Sequence, residues 1–132
     1  MADRTAGELL DAVLRAIERI DFTEVAELFH PDGVFDCPYA PGGPSIARGR
    51  DAIVALLRGS AEAMWKTFAF TVDREYACTD PAFAIAEYHS EALLHNGRTY
   101  RNRYITVCEA RDGRIVLFRE HFDPQAIVAG MS

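Results

Sequence analysis

A carboxylate on the apolar face of the last predicted strand is the residue of this sequence best suited to chemistry. Residues 113–124 read GRIVLFREHFDP. Because strand side chains alternate between two faces, Glu120 points the same way as Val116, Phe118 and Phe122. Burying a charged carboxylate is costly, so an apolar pocket raises the pKa of the carboxyl and lets it exchange protons near neutral pH. Glu120 is therefore the first candidate for a general acid/base.

Two hairpin signals predict which residues lie beside Glu120. An Asn-Gly pair at 96–97 and an Asp-Gly pair at 112–113 are typical of two-residue turns, which fix the register of the strands that they join. In that register Ile105 lies opposite both Tyr88 and Glu120. The three residues are then expected on one face of the sheet.

Tyr88 and Arg103 are two further candidates for the chemistry. In the predicted register Arg103 is a diagonal neighbour of Glu120, so it could bind a substrate carboxylate or form a structural ion pair with Glu120. Tyr88 lies two strands away and could donate a hydrogen bond to a substrate oxygen, or it could belong to the core. The residues alone leave these alternatives open.

The face that carries Glu120 is predicted to line a pocket. Alanine recurs at alternate positions of the strand over 83–94, and small side chains beneath covering helices leave volume. Large helix residues could fill that volume, or a small hydrophobic molecule could occupy it. The predicted substrate-binding residues are Phe35, Cys37, Tyr39, Met64, Trp65, Ile105, Val107, Phe118 and Phe122.

The opposite face is predicted to be polar and to pair with a second copy of the chain. Its charges are of both signs, which suits self-complementary contact in a homodimer. His89 and His121 are predicted about 10 Å apart, on opposite sides of one residue of the middle strand, so no metal site is expected. The predicted dimer contacts are Glu87, His89, Glu91, Asn102, Tyr104, Arg119 and His121.

The composition fits one globular domain, predicted to span residues 1–132, and it disfavours some partners. The chain has 132 residues and a formal net charge of −6. Nucleic acids and anionic membranes need a basic surface, so neither is expected as a partner. No apolar run approaches the ~20 residues of a membrane span. Three widely spaced cysteines indicate reduced thiols in a cytoplasmic protein.

Helices are predicted to come first along the chain. Capping signals at Thr5 and Asp21 begin two helices, the second stopped by Pro31. A third helix is predicted over 50–59, and 60–66 could add another turn or two to it. Asp-Pro at 123–124 begins a short terminal helix. Strands are predicted over 33–38, 68–76, 83–94, 99–110 and 115–122, with a loop over 40–49. This order is the α+β pattern of one sheet covered on one face by helices.

Three segments resemble the SnoaL-like branch of the nuclear transport factor 2-like superfamily. They are FHPDGVFDCPY, ARGRDAIVALL and YRNRYITVCEARDGRIVLFREHFDP, and the resemblance runs from the first helix to Pro124. It implies a cone-shaped barrel, in which a curved, mainly antiparallel sheet wraps around the N-terminal helices, and a deep apolar pocket. In SnoaL-type polyketide cyclases and in phenazine-biosynthesis A/B proteins an acidic residue of the closing strand is the acid/base. The resemblance places that role on Glu120.

The sequence departs from several relatives within that superfamily. Cys37 occupies the position where ketosteroid isomerases carry a general-base Asp, and Leu56 occupies that of a pocket His in the phenazine-type proteins. The Asp-Arg-Asp set of limonene epoxide hydrolases cannot be assembled here. None of those three reactions is therefore expected.

The sequence favours a cofactor-independent enzyme that uses acid/base chemistry in a pocket. The expected reaction is an isomerisation, cyclisation, dehydration or lyase step on an apolar cyclic or aromatic compound of secondary metabolism or aromatic catabolism. Glu120 would transfer the proton, and Tyr88 and Arg103 would orient the substrate. The alternatives are a non-catalytic protein that binds a hydrophobic ligand, and a dimerisation or docking module of the same fold.

Overall fold

Four helices and six strands make up residues 3–132, the part of the chain that the computed structural model describes. Helices precede the long strands, as predicted from the capping and turn signals. In chain order the elements are α1 (Ala6–Glu18), α2 (Phe22–Leu28), β1 (Phe29–Cys37), β2 (Ser45–Arg48), α3 (Arg50–Ala63), β3 (Trp65–Ala77), β4 (Phe83–Leu94), β5 (Thr99–Arg111), β6 (Arg114–Phe122) and α4 (Pro124–Met131).

Side-chain caps fix where the first two helices begin. The Thr5 hydroxyl accepts a hydrogen bond from the Glu8 backbone N–H, and the Glu8 carboxylate accepts one from the Thr5 N–H. The Asp21 carboxylate likewise accepts from the Glu24 N–H at the start of α2. Each cap satisfies backbone donors that a helix start leaves unpaired. Both predicted helix starts are confirmed.

Two local predictions are wrong, and an extension of the third helix that the sequence left open is present. Pro31 does not end α2, because the chain is already extended at Phe29 and Pro31 lies within β1. α3 continues past Gly59 by the further turn that 60–66 could add, because buried Leu57 and Ala61 carry its apolar side on to Ala63. The segment 40–49, predicted as a loop, contains the short strand β2, which pairs with β1.

The six strands form one curved open sheet in the order β2-β1-β6-β5-β4-β3. The β1–β6 pair is parallel and every other pair is antiparallel, so the predicted α+β fold with a mainly antiparallel sheet is confirmed. Extra residues interrupt the pairing within β1, β3 and β6, and such bulges bend a sheet. No helix within residues 3–132 has the length and apolar character required to cross a bilayer.

The predicted strand register is wrong by one residue. Leu94 pairs with Arg98 across a three-residue loop, since the His95 N–H donates to the Met64 carbonyl of a distant segment instead. Tyr88 therefore lies opposite Tyr104 rather than opposite Ile105. Val116 is an extra residue of β6 opposite the step from Glu109 to Ala110, and it shifts the β5–β6 register so that Glu120 lies opposite Thr106.

This shift exchanges the two faces of β5, because a one-residue slip turns every side chain over. On β4, and on β6 from Phe118 onward, the inner side chains are those expected from alternation, whereas before the bulge Ile115 is buried in place of the predicted Val116. On β5, five side chains that point inward are buried: Tyr100, Asn102, Tyr104, Thr106 and Cys108.

Candidate active site

A cavity of about 240 Å³ lies between the helices and the inner face of the sheet. Every strand except β4 lines it, together with α1, α3, α4 and the segment before β2. Its wall is mostly apolar, and Glu120 is its single ionisable carboxyl group. The aromatic lining residues are Phe35, Trp65, Phe68, Phe70, Tyr100, Tyr104 and Phe122, and the aliphatic ones include Ile17, Leu56, Leu57, Met64 and Ile127.

The carboxyl group of Glu120 is held on one side only. Tyr88 Oη donates to Glu120 Oε2 at 2.9 Å, and Thr106 Oγ1 lies 2.6 Å from Tyr88 Oη. In residues 3–132 no hydrogen bond reaches Oε1. Thr106 therefore donates to Tyr88 while Tyr88 donates to Glu120, which leaves Oε1 for a ligand.

Burial raises the pKa of Glu120 to about 7, because the partly buried carboxylate is stabilised by less water than in the unfolded chain. The hydrogen bond from Tyr88 stabilises the charged form and so opposes part of that rise in pKa. A group with a pKa near 7 is present in both forms at neutral pH. It can therefore act either as a general base or as a general acid.

Tyr88 supports Glu120 and does not reach the cavity. Its side chain is 1% exposed, and its ring stacks on the Tyr104 ring with centroids 4.8 Å apart. Both of its hydroxyl bonds are made to protein groups, Thr106 and Glu120. The predicted direct contact between Tyr88 and a substrate oxygen is replaced by a positioning role.

A second group of polar side chains lies on the inner face beyond Tyr88. Tyr104 Oη lies 2.7 Å from Ser90 Oγ and 3.4 Å from Tyr100 Oη, and Asn102 Nδ2 donates to Tyr100 Oη at 2.6 Å. Burial raises the pKa of both tyrosines, and the Glu120 charge adds to that rise, so their hydroxyls stay protonated donors. The sequence did not predict this cluster, because the one-residue error in register placed its β5 side chains on the outer face of the sheet.

Arg103, Ile105 and Val107 lie on the outer face of β5, which corrects three predicted site residues. Ile105 is 49% exposed, and Arg103 is also exposed. No ion pair joins Arg103 to Glu120 in the described part of the chain. The structural alternative considered for Glu120 is therefore wrong as well, since the partner of the carboxyl is Tyr88.

The other predicted pocket residues fall into two groups. Tyr39 is 60% exposed and its ring lies beside His121, so it is outside the cavity, while Phe118 is fully buried behind Phe35 with the rings 5.1 Å apart. Five of the predicted residues do line the cavity: Phe35, Cys37, Met64, Trp65 and Phe122.

Cys37 lies on the cavity wall but is not a nucleophile. Burial raises the pKa of its thiol, and the nearby Glu120 and Asp36 charges raise it further, so the reactive thiolate is not populated. Among residues 3–132 no three His, Cys, Asp or Glu side chains lie together as the ligands of a metal would.

Only some of the residues predicted to form the dimer contact lie on the outer face of the sheet. Asn102 and Tyr104 are buried on the inner side, which corrects two predicted dimer contacts. A larger groove of about 700 Å³ crosses this outer region and includes an ion pair of 3.0 Å between Arg101 and Glu91. The candidate active site is nevertheless the smaller cavity, because the buried acid lies there. The remaining predicted contacts are on the outer face: Glu87, His89, Glu91, Arg119 and His121.

Comparison with known proteins gives the family. Residues 10–118 match the SnoaL-like domain model. The chain belongs to the SnoaL-like family. An uncharacterized PhzA/B-like protein of Pseudomonas aeruginosa is 37% identical to it over 121 residues, covering 90% of this chain and 84% of that protein.

Solved structures show the same fold. A proposed isomerase from Bacillus subtilis is 32% identical with a TM-score of 0.82, covering 96% of this chain and 91% of that one. A Δ5-3-ketosteroid isomerase from a Mycobacterium species has a TM-score of 0.78 at 18% identity, covering 92% and 95% of the two chains. The second likeness shows the shared fold alone.

Proposed function

We propose that this protein is an enzyme that moves a proton next to a carbonyl or imine group of an apolar ring compound, with Glu120 as the acid/base. The observation that carries the proposal is a carboxyl group with a pKa near 7 on the wall of an apolar cavity. The free Oε1 atom of Glu120 is the one that would take or give the proton, because Oε2 accepts the bond from Tyr88.

The surroundings of Glu120 fit such a proton transfer. As a base the carboxylate takes a proton from a ring carbon, and as an acid it returns a proton to another carbon or to a leaving oxygen. The chain from Thr106 through Tyr88 holds the carboxyl in one orientation during both steps. No cofactor is needed for this chemistry. Isomerase, cyclase, dehydratase and lyase reactions all use such a step.

Features of the cavity narrow the substrate class and the route. A volume of about 240 Å³ with aromatic walls suits an apolar molecule of one or two rings. On β1 the pKa of the buried Cys37 thiol is raised, so this thiol cannot act as the base. The group that transfers the proton is therefore Glu120 on β6. The proposed isomerase from Bacillus subtilis, which is 32% identical to this chain, supports a reaction of this class.

Hydrogen–deuterium exchange tests the proposal without knowledge of the natural substrate. The protein is incubated in D₂O with a panel of cyclic ketones, and loss of the signal from the hydrogens next to the carbonyl is followed by proton NMR. We expect catalysed exchange that falls about 100-fold or more in Glu120→Gln. Glu62→Gln, an exposed position on α3, is the matched control. Exchange that persists in Glu120→Gln, or that occurs with no ketone of the panel, would contradict the proposal.

The same cavity would also serve a protein that binds a hydrophobic ligand without changing it. Its mostly apolar wall with one carboxyl group supports that second candidate. The exchange experiment separates the two, since a binding protein would perturb the ketone signals without replacing hydrogen by deuterium.

We also propose a homodimer that forms through the outer face of the sheet. Ile105 is an exposed apolar side chain in the middle of that face, among charged residues of both signs. Such an arrangement suits a twofold contact. Sedimentation equilibrium should give twice the 14.7 kDa chain mass, and Ile105→Glu should give monomers. A monomeric wild-type protein at micromolar concentration would contradict this proposal.

A further inference from the structure

The hydrogen bonds of Asn102 determine how the neighbouring tyrosine is used. Asn102 Oδ1 accepts from the backbone N–H groups of Arg103 at 2.8 Å and Asp123 at 3.0 Å. Its amide nitrogen must therefore face the other way, where it donates to the Asp123 carbonyl at 2.9 Å and to Tyr100 Oη at 2.6 Å. Because Tyr100 Oη accepts that bond, the proton of Tyr100 has to be donated elsewhere.

Counting protons shows that the hydroxyl cluster has one donor too many. The hydroxyls of Ser90, Tyr104 and Tyr100 carry three protons, but only two hydrogen bonds join them, at 2.7 Å and 3.4 Å. Within residues 3–132 these hydroxyls have no other acceptor. A buried donor without an acceptor is costly, so a ligand atom that accepts the spare proton is stabilised there.

The spare hydrogen-bond donor is available to a ligand in the cavity. Tyr100 and Tyr104 both line it, whereas Ser90 does not. An acceptor in the cavity selects the arrangement in which Ser90 donates to Tyr104, and the Tyr104 and Tyr100 hydroxyls, whose mutual contact is long at 3.4 Å, both donate to the ligand. Trp65 also lines the cavity, and its Nε1–H is the one buried side-chain nitrogen or oxygen of the described residues without a partner.

From this arrangement we infer that Tyr100 and Tyr104 form a subsite for a neutral hydrogen-bond acceptor, and that the ligand is a ring compound bearing a carbonyl oxygen. The hydroxyl groups of Tyr88 and Tyr104 bond in opposite directions along the sheet, one toward Thr106 and the other toward Ser90. Glu120 and the tyrosine subsite therefore lie toward opposite ends of the stacked rings of Tyr88 and Tyr104. A carbonyl held by the tyrosines presents the rest of its ring to Glu120.

This inference rests on the proposed function and names its substrate class. Binding of a ring carbonyl by the two tyrosines does not itself require catalysis, so it can be tested separately. A matched ligand pair tests it. The compound 1-tetralone carries a ring carbonyl, whereas 1-methylenetetralin has a CH₂ group in place of the oxygen and cannot accept a hydrogen bond. Both are titrated by NMR up to millimolar concentration, and the ketone is labelled with carbon-13 at its carbonyl. A downfield shift of that carbon on binding reports hydrogen bonding directly.

We expect 1-tetralone to bind about fivefold or more tightly than 1-methylenetetralin, with a downfield carbonyl shift. Tyr100→Phe and Tyr104→Phe should each lower the affinity for 1-tetralone about fivefold. Each should change the affinity for 1-methylenetetralin by less than about twofold. Tyr76→Phe, at a half-exposed tyrosine far along β3, should change neither affinity. Thermal melts establish that each variant is folded.

Three results would overturn the subsite: equal affinity for the two compounds, equal weakening of both by the tyrosine variants, or no binding of 1-tetralone at millimolar concentration. The wild-type comparison decides the question even if a variant does not fold. Glu120→Gln separates this inference from the proposed function. If that variant binds 1-tetralone normally while the wild type exchanges no hydrogen, the subsite stands and the acid/base role fails.

Discussion

Glu120 and Tyr88 act as a pair in which the tyrosine adjusts the acidity of the carboxyl group. Tyr88 Oη donates to Oε2 and so stabilises the carboxylate, while burial favours the protonated acid. The balance leaves the pKa of Glu120 at about 7. Both residues are candidates by sequence, but only the structure shows the hydrogen bond through which Tyr88 affects the pKa of Glu120.

Removal of the Tyr88 hydroxyl should raise the pKa of Glu120 above its wild-type value. Tyr88→Phe deletes the one contact that favours the carboxylate and leaves the burial of the group in place. The rise is measured from the carboxyl carbon resonance in a carbon-13 NMR titration. Tyr76→Phe is the control. An unchanged or lowered pKa in Tyr88→Phe would show that the hydrogen bond does not set the acidity of Glu120.

Glu120 could be found from the sequence, and the tyrosine subsite could not. The place of Glu120 on the inner face follows from alternation within a single strand, which needs no partner. Tyr100 and Tyr104 could be placed only through pairing with β4. That pairing depends on a backbone contact between His95 and Met64, which no local pattern reveals.

Asn102 ties the end of the sheet to the last helix. Its amide bonds the backbone of Asp123, the residue whose side chain caps α4, and α4 in turn supplies Ile127 to the cavity wall. One buried side chain thereby fixes a strand, a helix start and the Tyr100 hydroxyl. The outward position predicted for Asn102 gave no hint of this role.

Asn102→Asp should destabilise the protein by about 3 kcal/mol, because it places a carboxylate oxygen against the Asp123 carbonyl and buries a negative charge, a cost that the two backbone N–H bonds to the other oxygen offset only in part. Chemical denaturation measures the change in the free energy of unfolding. Gln125→Glu, at an exposed position of the first turn of α4, is the control and should change stability by less than about 0.5 kcal/mol. A loss no larger than that of the control would contradict the bonding described for Asn102.

The elements themselves were largely readable from the sequence. Caps at Thr5 and Asp21 and the bounds of β4 follow from local signals, and the structure confirms them. Where prediction failed, a contact distant in sequence decided the outcome. β2 exists only because β1 pairs with it, and the β5–β6 register shifts at an irregularity between Glu109 and Ala110.

The fold as a whole makes ionisation of Glu120 less favourable than it is in the unfolded chain. Its helices and sheet shield Glu120 from most of the surrounding water, which raises the pKa of that group from 4.5 to about 7 on folding. Between those values the folded protein binds more protons than the unfolded chain. The stability contributed by this group therefore falls as pH rises.

Folding stability should fall by about 2 kcal/mol between pH 5 and pH 8 on account of Glu120. Glu120→Gln removes the titrating group, so the difference between the two proteins isolates its contribution from that of other groups. Chemical denaturation over this pH range measures both. Parallel stability curves for wild type and Glu120→Gln would contradict the assignment.

The titration of Glu120 in the wild-type protein tests the central claim most directly. Carbon-13 labelled glutamate gives one carboxyl resonance per side chain, and the signal absent from Glu120→Gln identifies the residue. No substrate is needed. A midpoint near pH 7 is predicted and would establish a proton carrier in the cavity. A midpoint at or below the reference value of ~4.3 would show a permanently ionised carboxylate and contradict the acid/base role.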